Sequence, residues 1–137
     1  MALADLAACT RVVQVYAPDS LNGSITSSEI DVTGYYEALL IVNTGDMGGS
    51  SSTLDCKIQA ASTTGGSLSD ITGAAITQQV QGVDDNTVVV GRVLCNGTDP
   101  FWKLVTVTTA ATECGVSMVL IPYDTGNSSN TSMDFTV

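Results

Sequence analysis

The chain has 137 residues, enough for one domain with a real core but marginal for two. Hydrophobic residues make up 44% of it and charged residues only 13%, so the body is not disordered and its polarity rests on Ser, Thr and 13 Gly. The net charge is −10 and the four cations, Arg11, Lys57, Arg92 and Lys103, are scattered, so no basic stripe meets phosphates and direct nucleic-acid binding is not expected.

Residues 1–10 read as an Ala-rich arm marked by Leu3 and Leu6. Leu6-Ala7-Ala8-Cys9 matches the short pattern before a bacterial lipoprotein cysteine, but the few residues ahead of it, Asp5 among them, are too short for a signal peptide. Without secretion, the glycosylation-type triplets at Asn22, Asn96, Asn127 and Asn130 are composition only. No stretch approaches the ~18 consecutive apolar residues that cross a bilayer, so no membrane partner is expected.

Arg11 to Tyr16 is β-branched and aromatic, a first strand, and Ala17 to Gly23 reads as a loop through its Pro, Asp and Asn-Gly. Ile25 to Val32 suggests a second strand, with Glu29 and Asp31 on one face. Ala38-Leu39-Leu40-Ile41-Val42 is a continuous apolar run, the pattern of a strand covered on both faces. From Thr53 to Ile76 a hairpin is predicted: Leu54, Cys56, Ile58 and Ala60 point one way, Asp55, Lys57 and Gln59 the other, and Ser62 to Ser67 turns the chain. Gln78 to Thr87 is polar and holds the turn Asp84-Asp85-Asn86; Val88 to Cys95 is the next strand. Asn96 to Pro100 turns, and Phe101 to Thr108 and Val116 to Ile121 are strands joined through Thr109 to Gly115. Pro122 ends the ladder because it lacks an N–H donor, and residues 126–137 form a polar tail closing on Phe135 and Val137.

The pattern predicts an all-β fold: a single-domain antiparallel β-sandwich, jelly-roll-like, with an N-terminal arm (1–10), a body (11–125) and a C-terminal tail (126–137). Strands 38–42, 88–95, 101–107 and 116–121 carry apolar groups on both faces, whereas a two-sheet sandwich buries one. Either loops or a neighbouring subunit must cover the outer faces.

Chemistry is thin. The absence of histidine removes Ser-His-Asp and Cys-His schemes. The carboxylate pairs Glu29/Asp31 and Asp84/Asp85 are the only acid–base material, and with 5% aromatics they make a poor glycosidase; no enzyme is expected. Asp84-Asp85-Asn86 or Asp46 offers oxygens to calcium, but an acidic turn is more often solvated, and neither metal nor cofactor is expected. Cys9, Cys56, Cys95 and Cys114 lack CxxC spacing and read as thiols, with a Cys95–Cys114 disulfide left open. Phe101-Trp102 reads equally as an interface anchor or as a core pair.

The succession Ala38 to Gly45, Leu54 to Gln59, Ser67 to Ala74, Val90 to Val93, Trp102 to Val107 and Val116 to Leu120 resembles the head decoration (cement) proteins of tailed phages, over about residues 35–122. The resemblance implies a structural virion protein made in the host bacterial cytoplasm. It would act on the capsid exterior as a homotrimer, bridging neighbouring major capsid subunits at local threefold positions. The expected partner interface is Leu3, Leu6, Arg11, Phe101, Trp102 and Phe135. A carbohydrate-binding or adhesin module of a fibre or tail, with Trp102 and loop carboxylates as the sugar site, is the alternative.

Overall fold

A 22-residue strand, β8 (Phe101–Pro122), organises the molecule. The computed structural model describes residues 10–122, whose strands are β1 (Arg11–Thr26), β2 (Ile30–Asp31), β3 (Tyr35–Met47), β4 (Thr53–Ala61), β5 (Ser69–Ala75), β6 (Gln79–Val80), β7 (Val88–Leu94) and β8. All pairings are antiparallel, and the described residues contain no helix. Along β8 the even-numbered residues from Trp102 to Leu120 are buried, with only Ala110 half-buried. Its inward face therefore never changes phase.

One edge of β8 pairs with β1 and, at Phe101 and Trp102, with β2. The other edge is divided: β4 takes residues 101–108 and β3 takes residues 112–122. The order β5-β4-β8-β3-β7 thus bends over itself around the β1–β8 ribbon and makes two facing layers. The handover from β4 to β3 needs a close approach. Gly48 N–H donates to Ala111 O at 2.7 Å, and a Cβ on Gly48 would stand 2.5 Å from that oxygen, so only glycine fits. On the other side of the bend Thr53 N–H donates to Thr109 Oγ1 at 2.8 Å, which starts β4.

The core lies between the layers. Leu40 and Val42 of β3, Leu54, Cys56 and Ile58 of β4, and Trp102, Leu104, Val116, Met118 and Leu120 of β8 form one buried cluster. Buried threonines replace hydrocarbon where β8 bends. Thr108 Oγ1 accepts from Gly23 N–H at 3.1 Å and donates to Leu21 O at 3.2 Å, tying down an irregular point of β1.

The all-β sandwich is as the sequence indicates, and the hairpin of β4 and β5, strand β7 and the turn after it fall where the pattern puts them. Four boundaries differ. The segments 101–108 and 116–121 are one strand, because Thr109 to Gly115 continues the same alternation. Ala17 to Gly23 is not a loop but part of β1, where its Pro and Asn-Gly are absorbed as register shifts between Tyr16 and Asp19 and between Leu21 and Gly23. The strand expected from Ile25 to Val32 divides between the end of β1 and the short β2. β3 reaches well beyond its apolar run, from Tyr35 to Met47.

Among the described residues Cys56, Cys95 and Cys114 are free thiols, so Cys95 and Cys114 are not joined. Desolvation pushes the Cys56 thiol up to about 12 and those of Cys95 and Cys114 up to about 11, so the buried pair behaves as small hydrophobes. Leu104 is 1% exposed and Val107, on the opposite face of the same strand, 40%. Leu104→Ala is expected to cost about 2–5 kcal/mol in urea unfolding, while Val107→Ala costs less than about 1.

Candidate interaction surface

The outer face of the layer β7-β3-β8-β1 is apolar. Register places Arg92, Leu39, Val119 and Val12 in one row across it, Val90, Ile41, Ser117 and Gln14 in the next, and Leu94, Glu37 and Ile121 in a third. Leu39, Ile41 and Val119 are half-buried by their neighbours. Val12, Val90, Val88 and Leu94 stand 69%, 60%, 58% and 57% exposed, so no loop among the described residues covers them. Of the two coverings that double-faced strands require, loops supply none on this face among the described residues. Exposed valine and leucine in adjacent rows form a patch rather than scattered singletons.

Charge is nearly absent from this face. Arg92 Nε and Nη2 each stand 2.6 Å from Glu37 Oε2 across the β7–β3 pair. An exposed pair of this kind adds little stability, about 0–1 kcal/mol. Its effect is to leave the one cation of the patch already satisfied.

The opposite layer is polar. Asp70 accepts from Lys57 Nζ at 2.7 Å and from Gln59 Nε2 at 2.6 Å, and Asp55 accepts from Gln78 Nε2 at 2.8 Å. Val105 and Val107 stand opposite Lys57 and Asp55 in the register, with Ala75 and Ile76 beside them.

Beyond the apolar patch, at the bend of β8, a polar cleft of about 640 Å³ opens between Pro18, Asn43, Asn86 and Glu113. Pro18 lies over Gly115, where a Cβ would come within 3.1 Å of its Cγ.

The residues singled out from sequence separate. Trp102 is 1% exposed, with Nε1–H on Asp99 O at 2.9 Å; it is a core side chain and presents no surface ring to a sugar or a partner. Phe101 is half-buried between Asp31 and Ala61. Arg11 is exposed, opposite Leu120, and Nη1 reaches Asp31 O at 3.4 Å. Leu3, Leu6 and Phe135 lie outside the described residues. The patch residues were legible as double-faced strands, but not the row that joins Val12 to Val119 and Leu39. That row depends on the register of three strands distant in sequence.

The carboxylate pairs tie loops together. Glu29 accepts from Thr64 Oγ1 and from Gly65 N–H at 2.8 Å, and Asp31 accepts from Thr33 N–H at 2.9 Å. Asp84 accepts from Val80 N–H at 2.8 Å and Asp85 from Gly82 N–H at 2.9 Å, closing the turn before β7. Among the described residues no group of three His, Cys, Asp or Glu is placed to hold a metal ion.

With this geometry the chain was compared with known proteins. No family model matches it and no curated protein matches it in sequence. Solved structures do match. The structure of infectious bursal disease virus, Gx strain, aligns with 86% of this chain at a TM-score of 0.60 and 12% identity, and the VP2 subviral particle of that virus aligns with 82% at 0.56 and 11%. The chain shares its all-β fold with part of those virus chains. It spans about a third of the length of those chains, 33% and 32%, and at such identity the likeness concerns fold alone.

Two outcomes follow from these contacts. Hydrogen bonds from Thr64 and Gly65 hold the Glu29 carboxyl below its ordinary 4.5, bonds from Thr33 hold Asp31 below 3.8, and the Lys57 ammonium with Gln59 does the same for Asp70. A depressed carboxylate stabilises the fold above its unfolded pKa and loses that contribution as pH falls through the folded value. Stability measured by urea midpoint is therefore expected to be flat from pH 7 to about 5 and to fall below about 4. At a protein concentration low enough to keep the chain monomeric, the double replacement Val90→Asp and Leu94→Asp is expected to leave that midpoint within about 0.5 kcal/mol of the parent and to advance elution from a hydrophobic-interaction column. A midpoint shift of several kcal/mol would show these side chains to be core instead.

Proposed function

We propose that this protein is a structural, non-enzymatic virion protein that binds the outer surface of a phage capsid and stabilises it by bridging neighbouring major capsid subunits, acting as a homotrimer. The observation that supports this reading best is the largely apolar outer face of β7, β3, β8 and β1, which no described residue covers, on a fold similar to that of virus-particle chains. The −10 charge suits a place outside the shell, away from packaged nucleic acid.

Magnitudes favour repetition over a single strong contact. Covering Val12, Val88, Val90 and Leu94 from their present exposure gives roughly 1–2 kcal/mol each. Association costs about 4–15 kcal/mol in lost freedom and ordering. One patch alone therefore makes a weak contact. Three copies joined through their patches, each also touching the capsid, convert weak contacts into avidity. Arg11, and Leu3 and Leu6 on the segment before it, are the capsid-facing groups in this reading.

Light scattering at neutral pH is expected to give three times the 14.1 kDa chain mass, with and without reductant. Co-sedimentation with empty phage heads is expected to raise the force or temperature needed to rupture them. A clean monomer would remove the trimer. Failure to sediment with heads would remove the capsid role.

A further inference from the structure

The outer face that is apolar at one end turns polar at the other, on the same strands. Along β3 and β8 the pairs Leu39 with Val119 and Ile41 with Ser117 give way to Asn43 with Gly115, and Val88 of β7 stands opposite Asn43. There the cleft of about 640 Å³ opens, a volume within the roughly 300–1,000 Å³ of small-molecule sites.

Two glycines shape it. Glu113 lies against Gly45, where a Cβ would stand 2.7 Å from its Oε2 and 2.8 Å from its Cβ. Pro18 lies against Gly115 in the same manner. A side chain at either glycine would displace these walls and crowd the cleft. Asn86 is fixed at the rim, because its N–H donates to Gly45 O at 3.0 Å. Its φ of 55° is in the left-handed region, which asparagine tolerates.

The lining can hydrogen-bond in both senses. The side-chain amides of Asn43 and Asn86 each offer two donors and an acceptor, and among the described residues neither has a partner. Asp19 and Glu113 accept one backbone N–H each, from Ser20 at 2.7 Å and from Asp46 at 3.3 Å, and keep a second oxygen free. No Lys or Arg lines the cleft, so an anion would meet two carboxylates and no counter-charge. A bare cation would use the acceptors and leave both amide NH2 groups idle. Hydroxyl groups, which donate and accept, satisfy the whole set. Adjacent hydroxyls of a sugar ring match planar amides and carboxylates, and its C–H face has the Pro18 ring to rest on.

We infer that this cleft is a binding site for a short stretch of neutral saccharide, held by Asn43, Asn86, Asp19 and Glu113. Trp102, the sugar platform expected from sequence, is buried elsewhere and takes no part in it. Without an aromatic platform the affinity rests on hydrogen bonds to open side chains and is expected to be about millimolar.

The full chain is first screened on an array of neutral and acidic oligosaccharides, whose clustered display compensates for weak single contacts. The strongest neutral binder is then titrated in solution against the isotope-labelled chain. The side-chain NH2 resonances of Asn43 and Asn86 are expected to move, with the backbone amides of β4 and β5 unchanged. Asn43→Ala, and Asn86→Gly, which keeps the left-handed backbone unstrained, are each expected to weaken binding about fivefold. Glu113→Gln keeps the shape and an acceptor, and is expected to change binding less than about threefold. No neutral binder on the array, binding of acidic glycans alone, or resonance shifts confined to other parts of the chain would overturn the site. So would a loss of about tenfold or more on Glu113→Gln, which would mark a cation as the occupant. The titration depends neither on oligomeric state nor on capsid binding, so the bridging role stands or falls apart from it.

Discussion

The unbroken alternation of β8 is the constraint on which the rest depends. A strand that keeps one inward face for 22 residues while changing its edge partner from β4 to β3 must bend, and the two layers follow from that bend. Had the phase slipped by one residue, Leu104 and Met118 would have faced opposite sides and no common core would exist. The bend is held by backbone and hydroxyl contacts rather than by packing: Gly48 against Ala111, Thr53 against Thr109, and Thr108 against Leu21 and Gly23. Each satisfies a polar group at the place where regular ladder bonds are interrupted.

Legibility in the sequence followed the locality of the signal. The β4–β5 hairpin has its alternation, its glycines and its turn within some twenty-five residues, and it was readable at once. β8 was read as two strands because Thr109-Ala110-Ala111-Thr112-Glu113 lacks large apolar residues. Yet Thr112 is wholly buried, and a threonine with its hydroxyl on Ala110 O at 3.1 Å serves the core as a short aliphatic residue would. Pro18 misled for a related reason. Proline signals a break, but on a strand paired along one edge only it is absorbed by a register shift. The candidate surface was half legible: two-sided apolar strands were visible, while their assembly into adjoining rows required the register of β1, β3, β7 and β8.

The two outer faces divide the work unequally. On the β4–β5 side Lys57, Gln59 and Asp70 satisfy one another, as do Asp55 and Gln78, so these polar groups ask nothing of a partner. On the β3–β7 side the one ion pair is self-contained and what remains is mostly hydrocarbon, with Ser117 and Gln14 in one row. Because β8 contributes odd-numbered residues to both faces, the distinction is written along a single strand: Val105 and Val107 opposite Lys57 and Asp55, and Ser117, Val119 and Ile121 among apolar neighbours.

Charge sets the terms on which such a face is used. Copies that each carry −10 repel one another, and Lys57 and Arg92 are already paired with acids of their own chain. In the proposed trimer, attraction between copies through this face would therefore rest on removing valine and leucine from water. Salt acts on the two terms in the same direction. It screens the repulsion within about 8 Å at physiological strength, and kosmotropic salts strengthen apolar burial. In the proposed trimer, association through this face would thus be favoured by salt, the reverse of a nucleic-acid interface, where added salt displaces the protein. The low charge content that set this sequence apart at the outset is, on this view, what permits an apolar contact between molecules of like sign: there is little on the contact itself that must be desolvated.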